Sequence, residues 1–200
     1  MKNITNTAVI TAPKTSLNEL RREAEITQMK GAPFMMASVI LWTMITIIRI
    51  LPLSLYMMNL LTFCCPVFLV PLTLLFSKII GADSFKKSDN PVNKLGILCT
   101  CNQVLYLLIV MWAFSKNPEV MMMLYGMIFG AHLMPFAWVY ESKTYLVMSI
   151  IVTLGSLLTA CVFGNIVMGV FLVICQIITS VSLLAECRKL SASKTPAVEL

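Results

Sequence analysis

Charge is what this sequence has least of. Asp, Glu, Lys and Arg make up 12% of the 200 residues and apolar side chains 58%, where a soluble domain carries about 25% charged and about 45–50% apolar residues. That leaves too little polar surface for a domain bathed in water. Nine carboxylates are present, none near the middle of a long apolar run. A paired-carboxylate acid–base site is therefore excluded, and so is the intramembrane carboxylate that proton-coupled transport calls for. A single histidine, His132, rules out the His-Glu-x-x-His metal motif; Gly-x-Ser-x-Gly and a phosphate loop are missing as well. The chain offers no catalytic constellation and calls for no cofactor. Its seven cysteines include the pairs Cys64-Cys65 and Cys99-x-Cys101, which lack the two-residue gap of a zinc or redox site. They read as packing residues, with no metal bound and no disulfide.

What is present is apolar length. The mean hydropathy is +0.87, and several runs reach the roughly 20 residues that cross a hydrocarbon core about 30 Å thick. The expected fold class is all-α: a polytopic six-transmembrane-helix bundle in one membrane domain over 31–187, with spans at about 33–50, 53–77, 92–114, 118–140, 144–163 and 166–185. Residues 1–15 lack the charged, apolar and cleavage regions of a signal peptide and are expected to remain as a mobile polar tail; 188–200 form a second. Over 16–30, Ser16-x-x-Glu19 is a capping box. It opens a short amphipathic helix, expected along the membrane surface rather than on a partner. Within the spans, Pro66 and Pro71 predict a kink, Asn90-Pro91 and Asn117-Pro118 predict capped helix starts, and Arg49 is expected to snorkel out at the end of the first span.

Of the 15 Lys and Arg residues, all but Arg49 and Lys116 fall on the side of the two termini. By the positive-inside rule both termini are cytoplasmic. The net charge of +6 flanks spans instead of forming a patch, so the expected partner is a bilayer with anionic headgroups and not nucleic acid.

The richest stretch is Asn117 to Tyr145. It carries Gly126 and Gly130 four residues apart, then His132 and Pro135. The glycines allow close helix approach, within the bundle or across a homodimer, and internal packing is the expected use. On the opposite side of the same helix Tyr125, Phe129 and Phe136 accompany His132, so this span is expected to be central. Pro135 cannot donate to the carbonyl of Ala131, which predicts a bend beside the histidine. Asn102 and Gln103 on the third span lie at the histidine's depth, and Ser149 and Gln176 on the fifth and sixth spans lie near it. Together with Tyr125 they form a candidate polar layer. His132 there either binds a ligand or hydrogen-bonds Asn102 or Gln103 to lock two helices. Trp138, Tyr140 and Tyr145 are expected to form an interfacial aromatic belt.

The run Gly130-Ala131-His132-Leu133-Met134-Pro135-Phe136-Ala137-Trp138 with Tyr140 to Tyr145, together with Ser77-Lys78-Ile79-Ile80-Gly81, Asn90-Pro91 and Asn102-Gln103, resembles a bacterial family of small membrane proteins classed as a domain of unknown function. The resemblance covers about Leu17 to Ala185. It implies six spans in a bacterial inner membrane and carries no activity, substrate or cofactor.

Three function classes follow. The first is a carrier or permease-like protein for a small neutral or amphipathic solute, with His132, Asn102 and Gln103 lining a cytoplasm-facing cavity. The second is a non-catalytic accessory or sensor subunit acting through helix contacts. The third, a cofactor-independent lipid-modifying enzyme, is disfavoured by the missing acid–base pair. Topology is directly testable: a reporter fused after Lys194 is expected on the cytoplasmic side and one fused after Gly164 on the other, and the same sidedness for both would contradict six spans.

Overall fold

The computed structural model describes residues 16–85 and 88–192; the tail at 1–15, the last eight residues of the second tail and the Lys86-Lys87 pair counted for orientation lie outside them. The described chain is all-helical apart from its connections, with α1 (Leu17–Thr27), α2 (Ala32–Ile50), α3 (Leu55–Cys64), α4 (Leu69–Ile80), α5 (Pro91–Lys116), α6 (Met121–His132), α7 (Met134–Val139), α8 (Lys143–Phe163) and α9 (Asn165–Ala192). Single 3₁₀ turns occupy Met29–Gly31 and Cys65–Phe68. Six stretches are long and apolar enough to cross a bilayer: Met29–Ile50, Leu55–Ile80, Pro91–Lys116, Met121–Val139, Lys143–Phe163 and Asn165–Leu190.

Most boundaries have local causes. Ser16 and Glu19 close the capping box of α1, and the Asn90 side chain accepts from the Val92 N–H at the start of α5. Pro66 sits in the 3₁₀ turn that separates α3 from α4. Pro71 falls in the first turn of α4, where the missing donor would have been unpaired in any case, so it adds no second break. Two boundaries depart from expectation. Asn117-Pro118 does not start a helix; α6 begins at Met121, because the Pro118 carbonyl is taken by Asn59 Nδ2 at 2.8 Å. And α9 runs on to Ala192, so residues 188–192 are helix and not tail.

The centre of the bundle is also elsewhere than expected. Of the most apolar window of each span, 56% is buried for the first, 28% for the α6–α7 span and 11% for α5. The first span is the hub, packed on α4 and α9, while α6 packs on α8 and α5. Between apolar helices in lipid the drive is close packing rather than escape from water. Gly130 shows how close: a Cβ there would lie 2.6 Å from the Thr153 backbone N on α8, and one on Gly126 2.9 Å from Ser156 Oγ.

Each end of the hub helix is tied by a buried cation. At the end where α1 meets the close of α9, Lys30 follows Met29 in the left-handed region (φ 46° and 51°) and precedes Gly31 at φ 71°. Two non-glycine residues there cost roughly 1–2 kcal/mol each. Contacts on every side hold them. Lys30 Nζ donates to the Tyr140 carbonyl at 2.8 Å and lies 3.3 Å from Glu186 and 3.8 Å from Glu25, and the Lys30 carbonyl accepts from the Tyr145 hydroxyl at 2.8 Å. Tyr140 reaches Gln28 at 2.5 Å. Tyr140 and Tyr145 are thus 4% and 2% exposed and do not form the interfacial belt; among the three expected belt residues only Trp138 faces outward. The same knot draws α1 onto the bundle, burying Ala24 and Glu25.

At the opposite end Arg49 does not snorkel. It is 7% exposed and turns inward, its Nη2 donating to Asn59 Oδ1 at 2.7 Å and Thr62 Oγ1 at 3.3 Å. Asn59 passes the link on to the Pro118 carbonyl, joining the first and second spans to the turn that leads into the fourth.

The knot predicts an asymmetry between its two acids. Glu186 accepts from Thr144 at 2.6 Å and Ser142 at 3.1 Å besides pairing with Lys30, so Glu186→Gln should cost about 2 kcal/mol. For Glu25 burial outweighs the attraction of Lys30 and raises the carboxyl above the ordinary range. The native state then holds a proton the unfolded state releases, and stability falls as pH rises from the ordinary carboxylate range through the raised value. Thermal melts over that window should show the fall in wild type, its loss in Glu25→Gln, and no destabilisation of Glu25→Gln at neutral pH.

Candidate functional site

The fourth span is broken where the sequence places Pro135. The α6 helix ends at His132 and α7 starts at Met134, and the Leu133 N–H turns back to the Gly130 carbonyl at 3.1 Å. With no N–H on Pro135 the ladder cannot continue through Ala131. The break leaves the imidazole between two rings, with centroids 5.9 Å from Phe129 and 5.4 Å from Phe136. Aromatic contacts run on from there to Trp42 on one side and to Tyr140 and Tyr145 on the other. His132 Nδ1 lies 3.1 Å from the Phe129 carbonyl. A carbonyl only accepts, so Nδ1 carries the proton and Nε2 is left as an acceptor. Nε2 has no hydrogen-bond partner among the described residues.

Facing this break is α5, whose only buried residues are Val92 and Asn93 at one end and Val110 and Ala113 at the other. At the far end Val110 and Ala113 pack on Met121. At the near end Gly96 passes the Phe136 ring, 3.9 Å from where a Cβ would stand. Between these attachments α5 stands off from α6–α7 and leaves a groove of about 660 Å³. One wall carries Leu98, Cys101, Asn102, Gln103 and Tyr106 of α5; Ala131, His132 and Pro135 form the other. The groove opens on the outer side of the bundle, not between all six spans.

The candidate residues named from sequence therefore fall into three places. His132, Asn102 and Gln103 share the groove. Asn102 does not bond the histidine; its Nδ2 donates to Tyr106 one turn along, at 3.0 Å. Gln176 is fully buried with its Oε1 3.0 Å from Ser38 Oγ, and its Nε2 has no partner among the described residues. The Ser38 proton already goes to the Met35 carbonyl at 2.7 Å, so the hydroxyl is best used as acceptor of the Gln176 amide. Ser149 is also inside, donating to its own helix at Leu146. Tyr125 lies tilted against Trp42, ring centroids 5.6 Å apart, and borders a void of about 10 Å³ with Phe63, Pro66 and Leu107, room for at most about one water. No single polar layer joins all six. The glycine pair lies against α8, away from the groove. Cys101, expected only as a packing residue, and Tyr106, not expected here at all, also line the groove; positions 98, 101, 102, 105 and 106 recur at helical spacing on one face, which is the signal that finds them. Among the described residues no group of three or more His, Cys, Asp or Glu is placed to hold a metal ion.

Six apolar helices around a largely uncharged interior define a small multi-pass membrane protein of the all-helical class. Residues 17–186 match the family described as "Family of unknown function (DUF7010)", and the chain belongs to that family. No curated protein and no solved structure matches the chain.

The geometry makes the histidine replaceable as a packing unit. His132→Phe keeps the ring contacts and loses one bond to a backbone carbonyl, worth about 1 kcal/mol. The purified variant should melt within a few degrees of wild type; unfolding would mean that His132 is a structural lock.

Proposed function

We propose that this protein is a membrane carrier for a small neutral or amphipathic solute, held in the groove between α5 and α6–α7. The observation that carries this reading is the shared cavity. The one histidine with an unused acceptor and two side-chain amides line a single groove of about 660 Å³, within the range of about 300–1,000 Å³ usual for small-molecule sites. No charged residue among the described ones lines it, so an ionised ligand would go uncompensated in a medium of low dielectric. A hydroxyl, amide or similar neutral group suits His132 Nε2 and Gln103, and an apolar part suits Leu98 and the outer side of the bundle. The charge asymmetry of the loops supports cytoplasmic termini in a bacterial inner membrane whose anionic headgroups the basic residues meet. On that orientation the groove lies toward the cytoplasmic half.

A second reading, an accessory or sensor subunit, is favoured by one feature: 11% of the apolar window of α5 is buried, leaving a helix face for a partner span. The two separate by solute response. A panel of neutral amphipathic compounds screened by thermal shift should contain members that raise the melting temperature of wild type, with the shift lost in His132→Phe, which keeps the ring contacts and removes the Nε2 acceptor. An equal shift in both proteins would contradict the groove as the binding site.

A further inference from the structure

The two walls of the groove are joined at one end by α1. On the α5 side Asn90, the residue that caps α5, also donates Nδ2 to the Leu20 carbonyl at 2.7 Å and to Glu23 Oε2 at 3.2 Å. On the α7 side Arg21 pairs with Glu141 at 2.8 Å, and its guanidinium carbon lies 3.7 Å over the Trp138 ring. Residues 20–23 of α1 thus grip both walls at once. Nothing between 94 and 109 of α5 is buried, so the near end of that helix is held by its first turn, by Gly96 against Phe136 and by α1.

We infer that α1 is a clasp gating the groove at the end of the bundle where the chain's two terminal helices meet: its release lets the near end of α5 part from α7 and opens the groove to water. This rests on the reading of the groove as the binding site. The chemistry suits a reversible closure. Glu141 is about half exposed, so its pairing with Arg21 is screened by salt, and Arg21 Nε is buried with no hydrogen-bond partner among the described residues. The Asn90 contacts are single hydrogen bonds to α1 on a residue whose capping bond to Val92 stays intact when they break. The Lys30 knot just beyond keeps α1 tethered while residues 20–23 let go.

Cys101, ten residues into α5 and so roughly 15 Å from its start, reports the opening. The full chain in lipid nanodiscs is treated with a water-soluble maleimide, and each cysteine is read by peptide mass spectrometry. Thiolate forms only where water reaches, so Arg21→Glu should raise Cys101 labelling about tenfold or more, while the buried Cys65 and Cys175 stay unmodified. Adding Glu141→Arg restores the pair with reversed signs and should return the rate to near wild type. Asn90→Asp, which keeps the cap but sets a carboxylate against Glu23 and the Leu20 carbonyl, should open it too. Equal Cys101 labelling in wild type and Arg21→Glu overturns the clasp, and so does labelling of Cys65 and Cys175 alongside Cys101 that the charge swap does not reverse. The groove reading fails on a different measurement, the solute-dependent melting shift, so the two failures are distinguishable.

Discussion

A lysine that cannot reach water organises this bundle. Lys30 stands where the first span begins, 6% exposed, and a buried ammonium without compensation is more costly than any other single feature of the fold. Its compensation comes from far along the chain: Glu186 at the end of the last span and the Tyr140 carbonyl at the end of the fourth. Meeting those partners requires the left-handed turn at Met29–Gly31, in which Gly31 has no room for a side chain because a Cβ would stand 2.9 Å from the Tyr145 hydroxyl. It also requires the sixth span to run past the expected membrane boundary so that Glu186 arrives. Once Tyr140 and Tyr145 are drawn in, the aromatic contacts from Trp42 through Phe129, His132 and Phe136 follow in register.

With the hub helix fixed at both ends, by Lys30 and by Arg49, the third span is the element with least to hold it. Its capping by Asn90 and its packing at Val110 and Ala113 are sound, and the middle is unsupported. In water that would be a defect; in a bilayer a helix satisfies its own backbone and tolerates an apolar face without neighbours. The groove is the consequence of this two-point attachment, and the break at Pro135 supplies its polar side by presenting His132. Both walls end under α1, which is why the same short helix closes the bundle and bears on the groove.

How much was legible in the sequence follows the range of the interactions. The six apolar stretches, the caps at Ser16 and Asn90, the 3₁₀ break at Pro66 and the bend at Pro135 depend on residues within one or two turns, and each is where the residues place it. Asn102, Gln103 and His132 share a groove because depth along two antiparallel helices can be counted from their ends. The readings that changed depend on distant partners. Arg49 at a helix end reads as a snorkelling cation until Asn59 and Thr62 are seen to offer it acceptors, and Pro118 reads as a helix start until Asn59 takes its carbonyl. Tyr140 and Tyr145 read as belt residues by their position, and only the buried Lys30 explains why they turn inward. Gln176 and Ser149 matched His132 roughly in depth but not in direction, and depth without azimuth does not make a layer.

The central claim is that an amphipathic molecule occupies the groove and not merely the lipid-facing surface of α5. The most direct measurement is photo-crosslinking in nanodiscs with a diazirine-bearing neutral amphiphile, with adducts mapped residue by residue. Adducts concentrated on Leu98, Cys101 and Asn102 together with Ala131 to Pro135, and competed away by unlabelled compound, are the predicted result. Uncompeted adducts spread equally over the outward positions Val104 and Met111 would contradict it.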